Sequence, residues 1–455
     1  MSLTTCILHS TKDIKKTVFF SNELARALQL TKSKTILLRV GSKSVSVPLK
    51  FSKRAGQHLF IPASVISNLR IPRLGTCMIK STNGKEIQLG PVIGVLTTIA
   101  SHSGNPFGAR TSFIKQILRT GQNKSFFIAF GPHDVNWQEE TVNAYILTTG
   151  GRFIRKVVPV PDVVYNRIAS RKVESQAITR DFKESFVRRN IPLFNWSFFD
   201  KSDVYNLLKH DETFTHVPES ITNPTSTKLK EMLKTYRFVY LKPTAGSLGF
   251  GIYRITYHPG KGYFIRYRNH GKNILLRYSN FDGILKMLRM NHGGMNRYIA
   301  QQGIRLIEID HCPIDFRFHM TKNANNRWEV AAIGAKKAGR GSVTTHIRTG
   351  GSLFSPEQVL KEVFGSRADV VLSSTKETVI RLAEAIERNY PHRLGELGFD
   401  IGIDQNEKIW MFEANSKPGR TIFKHPSLKE QEKVSLENIY EHCLFLSRFR
   451  ARREE

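Results

Sequence analysis

Acid is scarce in this sequence relative to base. Its 38 Asp and Glu stand against 69 Lys and Arg, a formal net charge of +31. Such an excess points to anionic partners: nucleotides, nucleic acid or phosphorylated polymers. The basic residues are spread along the whole chain without a block of five like charges, which argues against a dedicated nucleic-acid tail. Cysteine is also scarce. Cys6, Cys77, Cys312 and Cys443 lie far apart with no C-x-x-C, so neither a cysteine zinc site nor a disulfide framework is expected, and a reduced, intracellular protein is. No apolar run reaches membrane-spanning length and the N-terminus lacks a signal-peptide core, so the expected location is the cytoplasm. The Walker A pattern G-x-x-x-x-G-K-[ST] is absent too, which removes the P-loop nucleotide-binding class.

What is present is a chain of 455 residues, 40% hydrophobic, too long for one core. "FSNELARALQL" (20–30) and "IPASVISNLRI" (61–71) can be superposed, each a short helix followed by strand-like alternation turned at Gly41 or Gly84. Either a duplicated, barrel-like unit or two unrelated hairpins would give this pattern. From "PVIGVLTT" (91–98) onward strands alternate with helices, which predicts a small parallel-sheet unit. Ser202 is a candidate cap for a helix ending near residue 208, and Ser374 with Glu377 a capping box for one ending near Tyr390. The fold class is a multidomain mixture of α+β and α/β. Its expected divisions are a β-rich unit over 1–90, an α/β unit over 91–195, the main unit over 196–430 and a closing helix over 431–455.

Two stretches carry chemistry. In "VYLKPTAGSLGFGI" (239–252) a strand ends at Lys242 and turns through glycines that let backbone N–H groups approach phosphate oxygens. By itself this is a weak signal. The second stretch, "LGFDIGIDQNEKIWMFEANSKPGR" (397–420), reads as two strands in which Glu413 and Asn415 leave the same face and Asp400 lies on the partner. Two carboxylates and an amide oxygen suit Mg²⁺, which completes its shell with phosphate oxygens. Between them, Asp315 and Arg317 share a strand face, and "AAIGAKKAGRGSVTTHIRTGG" reads as a strand followed by a basic loop carrying Lys336, Lys337 and Arg340.

The order of these parts over residues 197–425 resembles the ATP-grasp superfamily. "LGPVIGVL", "PVPDVVYNR", "FFDKSDVY" and "EANSKPG" resemble its YheC/YheD type, associated with the endospore coats of Bacillus-like bacteria. The resemblance implies an ATP-grasp fold, two α+β subdomains clamping ATP with one or two Mg²⁺. It implies Lys242, and with it Lys201, on the nucleotide phosphates, Gly246, Ser247, Gly249 and Gly251 on the phosphate loop, and Gln301, Gln302 and Ile304 at the adenine hinge. It further implies Glu308 on the ribose, Arg317 on phosphate, and Asp400, Glu413 and Asn415 on magnesium, with Lys242 and Arg317 the catalytic pair. The sequence departs from the pattern in its hinge glutamines and in His346, where related ligases place asparagine.

The implied activity is ligation of a carboxylate to an amine through an acylphosphate; the alternative is a nucleotide-binding structural component of the coat. Arg167 and Arg348 are candidates for gripping the carboxylate substrate. Implied partners are ATP, that substrate, and an anionic spore polymer or coat proteins, at the coat in the mother cell. "GYFIRYRNHGKNILLRY" (262–278) interleaves basic and aromatic residues as nucleic-acid surfaces do, but a two-stranded hairpin with one wet face explains it more simply.

Overall fold

The computed structural model describes residues 2–12, 16–30, 34–100, 105–244, 251–292, 294–345 and 351–450. The N-terminal strands are β1 (Ser2–Thr11), β2 (Val18–Ser21), β3 (Thr35–Val40), β4 (Lys43–Ser52), β5 (His58–Pro62), β6 (Gly75–Ser81) and β7 (Glu86–Gly90), closing a barrel in the order β1-β5-β2-β4-β3-β7-β6. Strict alternation turns Phe20, Leu38, Val40, Leu59, Ile61, Ile79 and Leu89 inward. Helices α1 (Asn22–Ala27) and α2 (Ala63–Asn68) follow β2 and β5, and Leu24, Leu28, Val65 and Leu69 seal the barrel's ends. The β3–β4 and β6–β7 hairpins turn at Gly41 and Gly84, both at positive φ. Strand, helix and hairpin thus run in the same order twice, the arrangement the repeat suggests.

The next layer holds β8 (Val92–Leu96), α3 (Thr111–Arg119), β9 (Phe126–Phe130), β10 (Val135–Asn136), β11 (Thr141–Leu147), β12 (Phe153–Pro159), β13 (Val163–Asn166), α4 (Arg171–Glu174), α5 (Ala177–Arg188) and β14 (Leu193–Phe194). Strands β9, β8, β13 and β14 are parallel neighbours, but β11 runs antiparallel to β9 and β12 to β11. The expected parallel sheet is therefore mixed. A short link suffices to add antiparallel strands at an edge, whereas each parallel step needs a crossover.

Two further sheets follow. α6 (Lys201–Leu208), β15 (Ser220–Thr222), α7 (Ser226–Tyr236), β16 (Phe238–Pro243), β17 (Tyr253–His258), β18 (Gly262–Asn269), β19 (Lys272–Tyr278), α8 (Phe281–His292) and β20 (Tyr298–Gln302) come first. Their strands order as β15-β20-β16-β17-β18-β19, packed on α7 and α8 through Leu229, Leu233, Ile255, Ile265 and Ile284. The basic, aromatic segment is the β18–β19 hairpin, with Tyr263 and Ile265 turned into this core. Then come β21 (Glu308–Ile309), β22 (Cys312–Lys322), β23 (Trp328–Lys337), β24 (Ser352–Phe354), α9 (Pro356–Phe364), α10 (Ala368–Asn389), β25 (Glu396–Ile403), β26 (Ile409–Asn415) and α11 (Lys429–Leu446). This sheet orders as β24-β23-β22-β25-β26. Helix α11 lays Leu436, Ile439, Tyr440 and Cys443 against the β8 sheet, in one cluster with Ile93, Tyr165 and Phe194.

Three local expectations change. α6 is capped at Asp200, whose N–H donates to the Asp203 carboxylate at 2.9 Å, so Ser202 lies inside the helix. α10 ends at Asn389 as expected but begins at Ala368, leaving Ser374 and Glu377 in its interior. Buried Val371 and Ala368 carry the apolar stripe back past the serines, and packing outranks the local cap signal. Lys336 and Lys337 close strand β23 and are not part of a loop.

Asp203→Ala should cost about 0.5–1 kcal/mol in a denaturant titration and Ser202→Ala should stay within noise; the reverse order would restore Ser202 as the cap. A pH effect follows from His442, which is 1% exposed on α11 with neither ring nitrogen hydrogen-bonded. Burial, with Lys322 and Arg393 nearby, pushes its pKa down to about 3 from 6.5. Between those values the unfolded chain takes up a proton that the folded one refuses, so His442 costs stability as pH falls from 6.5 toward 3. His442→Leu should flatten that part of the acid limb relative to wild type in unfolding titrations at pH 7 and pH 4.

Candidate nucleotide-binding site

The two C-terminal sheets face each other across a cavity of about 400 Å³. One wall is Lys242 of β16 with Ile299 and Gln301 of β20; the opposite wall is Met411, Phe412 and Glu413 of β26, and α6 with β15 closes the side. Lys242 and Ile299 are register partners on adjacent antiparallel strands, which is why they share the cavity face with Gln301 two positions on. The Lys242 Nζ donates to Gln301 Oε1 at 2.5 Å, and Gln301 Nε2 donates to Ser220 Oγ at 3.1 Å. An amide here fixes the ammonium without cancelling its charge, as a glutamate would. The hinge departure noted in the sequence therefore places a neutral acceptor, not an anionic one, beside Lys242. Lys242 also lies 5.6 Å from the Phe412 ring centre, so the two walls meet at this lysine.

Across the β25–β26 hairpin Asp400 is opposite Glu413 and Gly398 opposite Asn415, so all three oxygen-bearing side chains belong to one patch. A bulge between Asp400 and Ile401 shifts the register just beyond it. Asp400 is also opposite Arg317 of β22. Its Oδ1 accepts from Arg317 Nη1 and from Lys336 Nζ, each at 3.1 Å. Lys336 Nζ lies 2.9 Å from Asp315 Oδ1, and the Thr345 hydroxyl donates to the other Asp315 oxygen. Burial alone would raise the Asp400 carboxyl, but Lys336 and Arg317 outweigh it and hold Asp400 well below the usual carboxylate range. Burial raises Asp315, opposed by Lys336 and reinforced by the Asp400 charge. Burial would lower Lys336, but the two carboxylates keep it strongly protonated.

Gly398 permits this arrangement. A Cβ there would sit 2.6 Å from Pro418 Cβ and 2.7 Å from Arg317 Nη2. The guanidinium reaches Asp400 only because position 398 has no side chain.

Among the described residues no three His, Cys, Asp or Glu gather at metal-holding spacing. The donor set Asp400, Glu413 and Asn415 still fits Mg²⁺, because the ion is held by one or two carboxylates and takes further oxygens from water and phosphate. Other expected residues fall elsewhere. Gln302 turns to the Glu219 N–H at 3.2 Å, Glu308 is exposed on β21, and neither they nor Ile304 lines the cavity. Gly251, expected on the loop with the other glycines, has φ 71, whereas Gly246, Ser247, Gly249, His346 and Arg348 lie outside the described residues. Lys201 opens α6, and its side chain lies outside the described atoms. Arg167 is not at the cavity: it donates to Glu396 at 2.8 Å and to the Pro418 carbonyl at 3.1 Å. The reading of the sequence missed Glu396 and Arg420 altogether; no local spacing marks them, and their partners are far away in the chain.

Two sheets closing on a cavity, with Lys242 on one wall and Glu413 on the other, are the arrangement of the ATP-grasp class. The profile of the YheC/D-like ATP-grasp family matches residues 190–446, and the chain belongs to that family. It is 32% identical over 414 residues, 90% of each chain, to the endospore coat-associated protein YheD of Bacillus subtilis strain 168. To the endospore coat-associated protein YheC of the same strain it is 22% identical over 330 residues, 68% of this chain and 85% of the relative. A D-alanine–D-alanine ligase from Coxiella burnetii is a distant structural likeness, with a TM-score of 0.43 at 12% identity over 78% of this chain and 94% of the ligase. No helix among the described residues is long and apolar enough to cross a membrane.

Gly398→Ala should displace Arg317 from Asp400 and, by crowding Pro418 Cβ, should also lower the melting temperature. Any ATP turnover should fall roughly 100-fold, the scale of a misplacement of about 1 Å at a reacting centre. Unchanged turnover would show that the Arg317–Asp400 contact is dispensable.

Proposed function

We propose that the chain is an ATP- and Mg²⁺-dependent ligase that joins a carboxylate to an amine through an acylphosphate. The observation that carries this reading is Lys242 and Glu413 on facing walls of one cavity, with Asp400 paired to Glu413 and cations behind it. In this reading Lys242 binds nucleotide phosphate oxygens. Magnesium, held by Asp400, Glu413 and Asn415, would neutralise phosphate charge. A substrate carboxylate oxygen attacks the γ-phosphorus, the bond to the β-phosphate oxygen breaks, and ADP leaves. The amine nitrogen then attacks the acyl carbon, phosphate departs, and the amine proton passes to solvent. Arg317, tethered by Asp400, faces the oxygens on which charge accumulates in both steps. Lys336 offsets Asp315 and Asp400, which keeps two buried carboxylates from repelling phosphate. Association with the spore coat is proposed from the names of the two Bacillus subtilis relatives.

ADP release in the presence of pooled amino acids and peptides, with hydroxylamine to trap an acylphosphate as hydroxamate, tests the reaction. Wild type should release ADP and form hydroxamate only when Mg²⁺ is supplied, and Glu413→Ala should do neither. ATP binding without ADP release under any such pool would favour the structural, nucleotide-binding coat component instead.

A further inference from the structure

Parallel α/β sheets place ligands outside the carboxyl ends of their strands, where the chain departs in opposite directions to the neighbours of one strand. In this molecule that point is the end of β8, flanked by β9 on one side and β13 on the other. Three segments meet there. The Arg167 N–H donates to the Leu96 carbonyl at 2.7 Å, the Thr97 hydroxyl donates to the Arg167 carbonyl at 3.3 Å, and Arg110, just before α3, donates from Nη2 to the Thr98 carbonyl at 2.9 Å. Arg420, from the loop after β26, completes the group. Its guanidinium carbon and that of Arg167 each lie 5.2 Å from the centre of the Phe113 ring.

This cluster carries more positive charge than its partners answer. The carboxylate in direct contact is Glu396, which already accepts from Tyr165 at 2.5 Å, Arg167 at 2.8 Å and Arg420 at 3.2 Å, and lies 2.9 Å from His319 Nε2. Glu432 of α11 adds a favourable field at Arg420. Arg110 contacts no carboxylate among the described residues, and burial together with the Arg167 charge depresses its guanidinium. Four polar atoms here are buried without a hydrogen-bond partner: Thr98 Oγ1, Arg110 Nη1, and Arg420 Nε and Nη2. The Arg420 side chain is only 9% exposed. Buried donors are nearly always satisfied, and buried guanidinium groups are costly without a counter-charge. The unused Nε and Nη2 of Arg420, which shares the Phe113 ring with Arg167, and the unused Nη1 of Arg110, which feels the Arg167 charge, are donors that an anion from outside would satisfy.

We infer that Arg110, Arg167 and Arg420, with Thr98, form a binding site for a carboxylate of the substrate other than the one that is phosphorylated. The unused Nε–Nη2 edge of Arg420 matches a carboxylate edge-on, Arg110 offers Nη1, Arg167 adds its charge, and Thr98 adds a hydroxyl donor. Phe113, half-buried across both guanidinium faces, is the group an incoming carboxylate turns aside. The site adjoins the reacting centre without being part of it: Arg167 holds the Pro418 carbonyl, and Pro418 and Arg317 flank Gly398 from either side. A substrate spanning both places carries at least two carboxylates, as an acidic amino acid or acidic peptide does. That substrate class rests on the ligase reading; the anion site itself does not.

The test is thermal unfolding of the full chain without nucleotide or Mg²⁺, comparing succinate, inorganic phosphate and chloride at equal ionic strength. Succinate should raise the melting temperature of wild type saturably, beyond chloride and phosphate. Arg110→Met should leave the ligand-free melting temperature equal or higher, because it removes an unanswered buried charge, and should abolish the succinate shift. Thr98→Val should weaken that shift in the same direction. An equal succinate shift in Arg110→Met and wild type, or none beyond chloride, would overturn the site. A larger response to phosphate would overturn the carboxylate assignment, and a ligand-free Arg110→Met that melts well below wild type would make Arg110 structural. Glu413→Ala should keep the full succinate shift, so a failed ligase reading and a failed anion site give different results.

Discussion

The carboxylate of Glu396 is the contact on which the arrangement of this molecule rests. It is fully buried at the start of β25 and gathers Tyr165 and Arg167 from the β8 sheet, His319 from β22 and Arg420 from the loop after β26. Burial alone would raise its pKa, yet Arg167, His319 and Arg420 hold it far below the usual range. The same strand start is pinned through its backbone, since Asn195 donates to the Glu396 carbonyl at 2.7 Å and accepts from the Gly395 N–H at 3.0 Å. Loss of one member would strand buried charges, a penalty of about 3–5 kcal/mol by the usual scale for broken buried pairs. Because β25 also carries Gly398 and Asp400, this junction fixes where the carboxylate patch stands relative to the preceding sheet.

A second buried cluster works in parallel. Glu174 of α4 accepts from Lys183 at 2.8 Å and from Lys417, and also from Asn166 at 3.0 Å. Burial pushes Lys417 down to about 7 even though Glu174 opposes the shift. Lys417 and Pro418 of "NSKPGR" are thus anchored to Glu174 and Arg167 of the β8 sheet unit, and Arg420 to Glu396 of β25 and Ser435 of α11. The stretch that follows Glu413 and Asn415 ties the β25–β26 hairpin to its neighbouring layers.

Much of the clamp was legible in the sequence because its parts are local. Lys242 at a strand end, Glu413 and Asn415 two apart on one strand, and the Gly41 and Gly84 hairpins follow from periods and turns that short windows reveal. The hairpin 262–278 was readable for the same reason. Boundaries fared worse where packing competes with capping: α10 runs back to Ala368 because its apolar stripe does, and the serines at 373 and 374 sit on its exposed side. The placement of Lys336 was ambiguous because strand and basic loop share the same residues, and register alone settles that it faces Asp315 and Asp400.

By itself the sequence determined the family and the strand placement of Lys242, Asp400, Glu413 and Asn415, since these are patterns within short stretches. Only the tertiary structure decided which charges answer one another. Arg167 finds Glu396 across 229 positions and Tyr165 finds it across 231. Chain proximity carries no trace of such pairs, whose energy arises only when burial removes water from both partners. The guanidinium nitrogens of Arg110 and Arg420 that lack an acceptor became visible for the same reason, because a missing partner can be recognised only once the neighbours are in place.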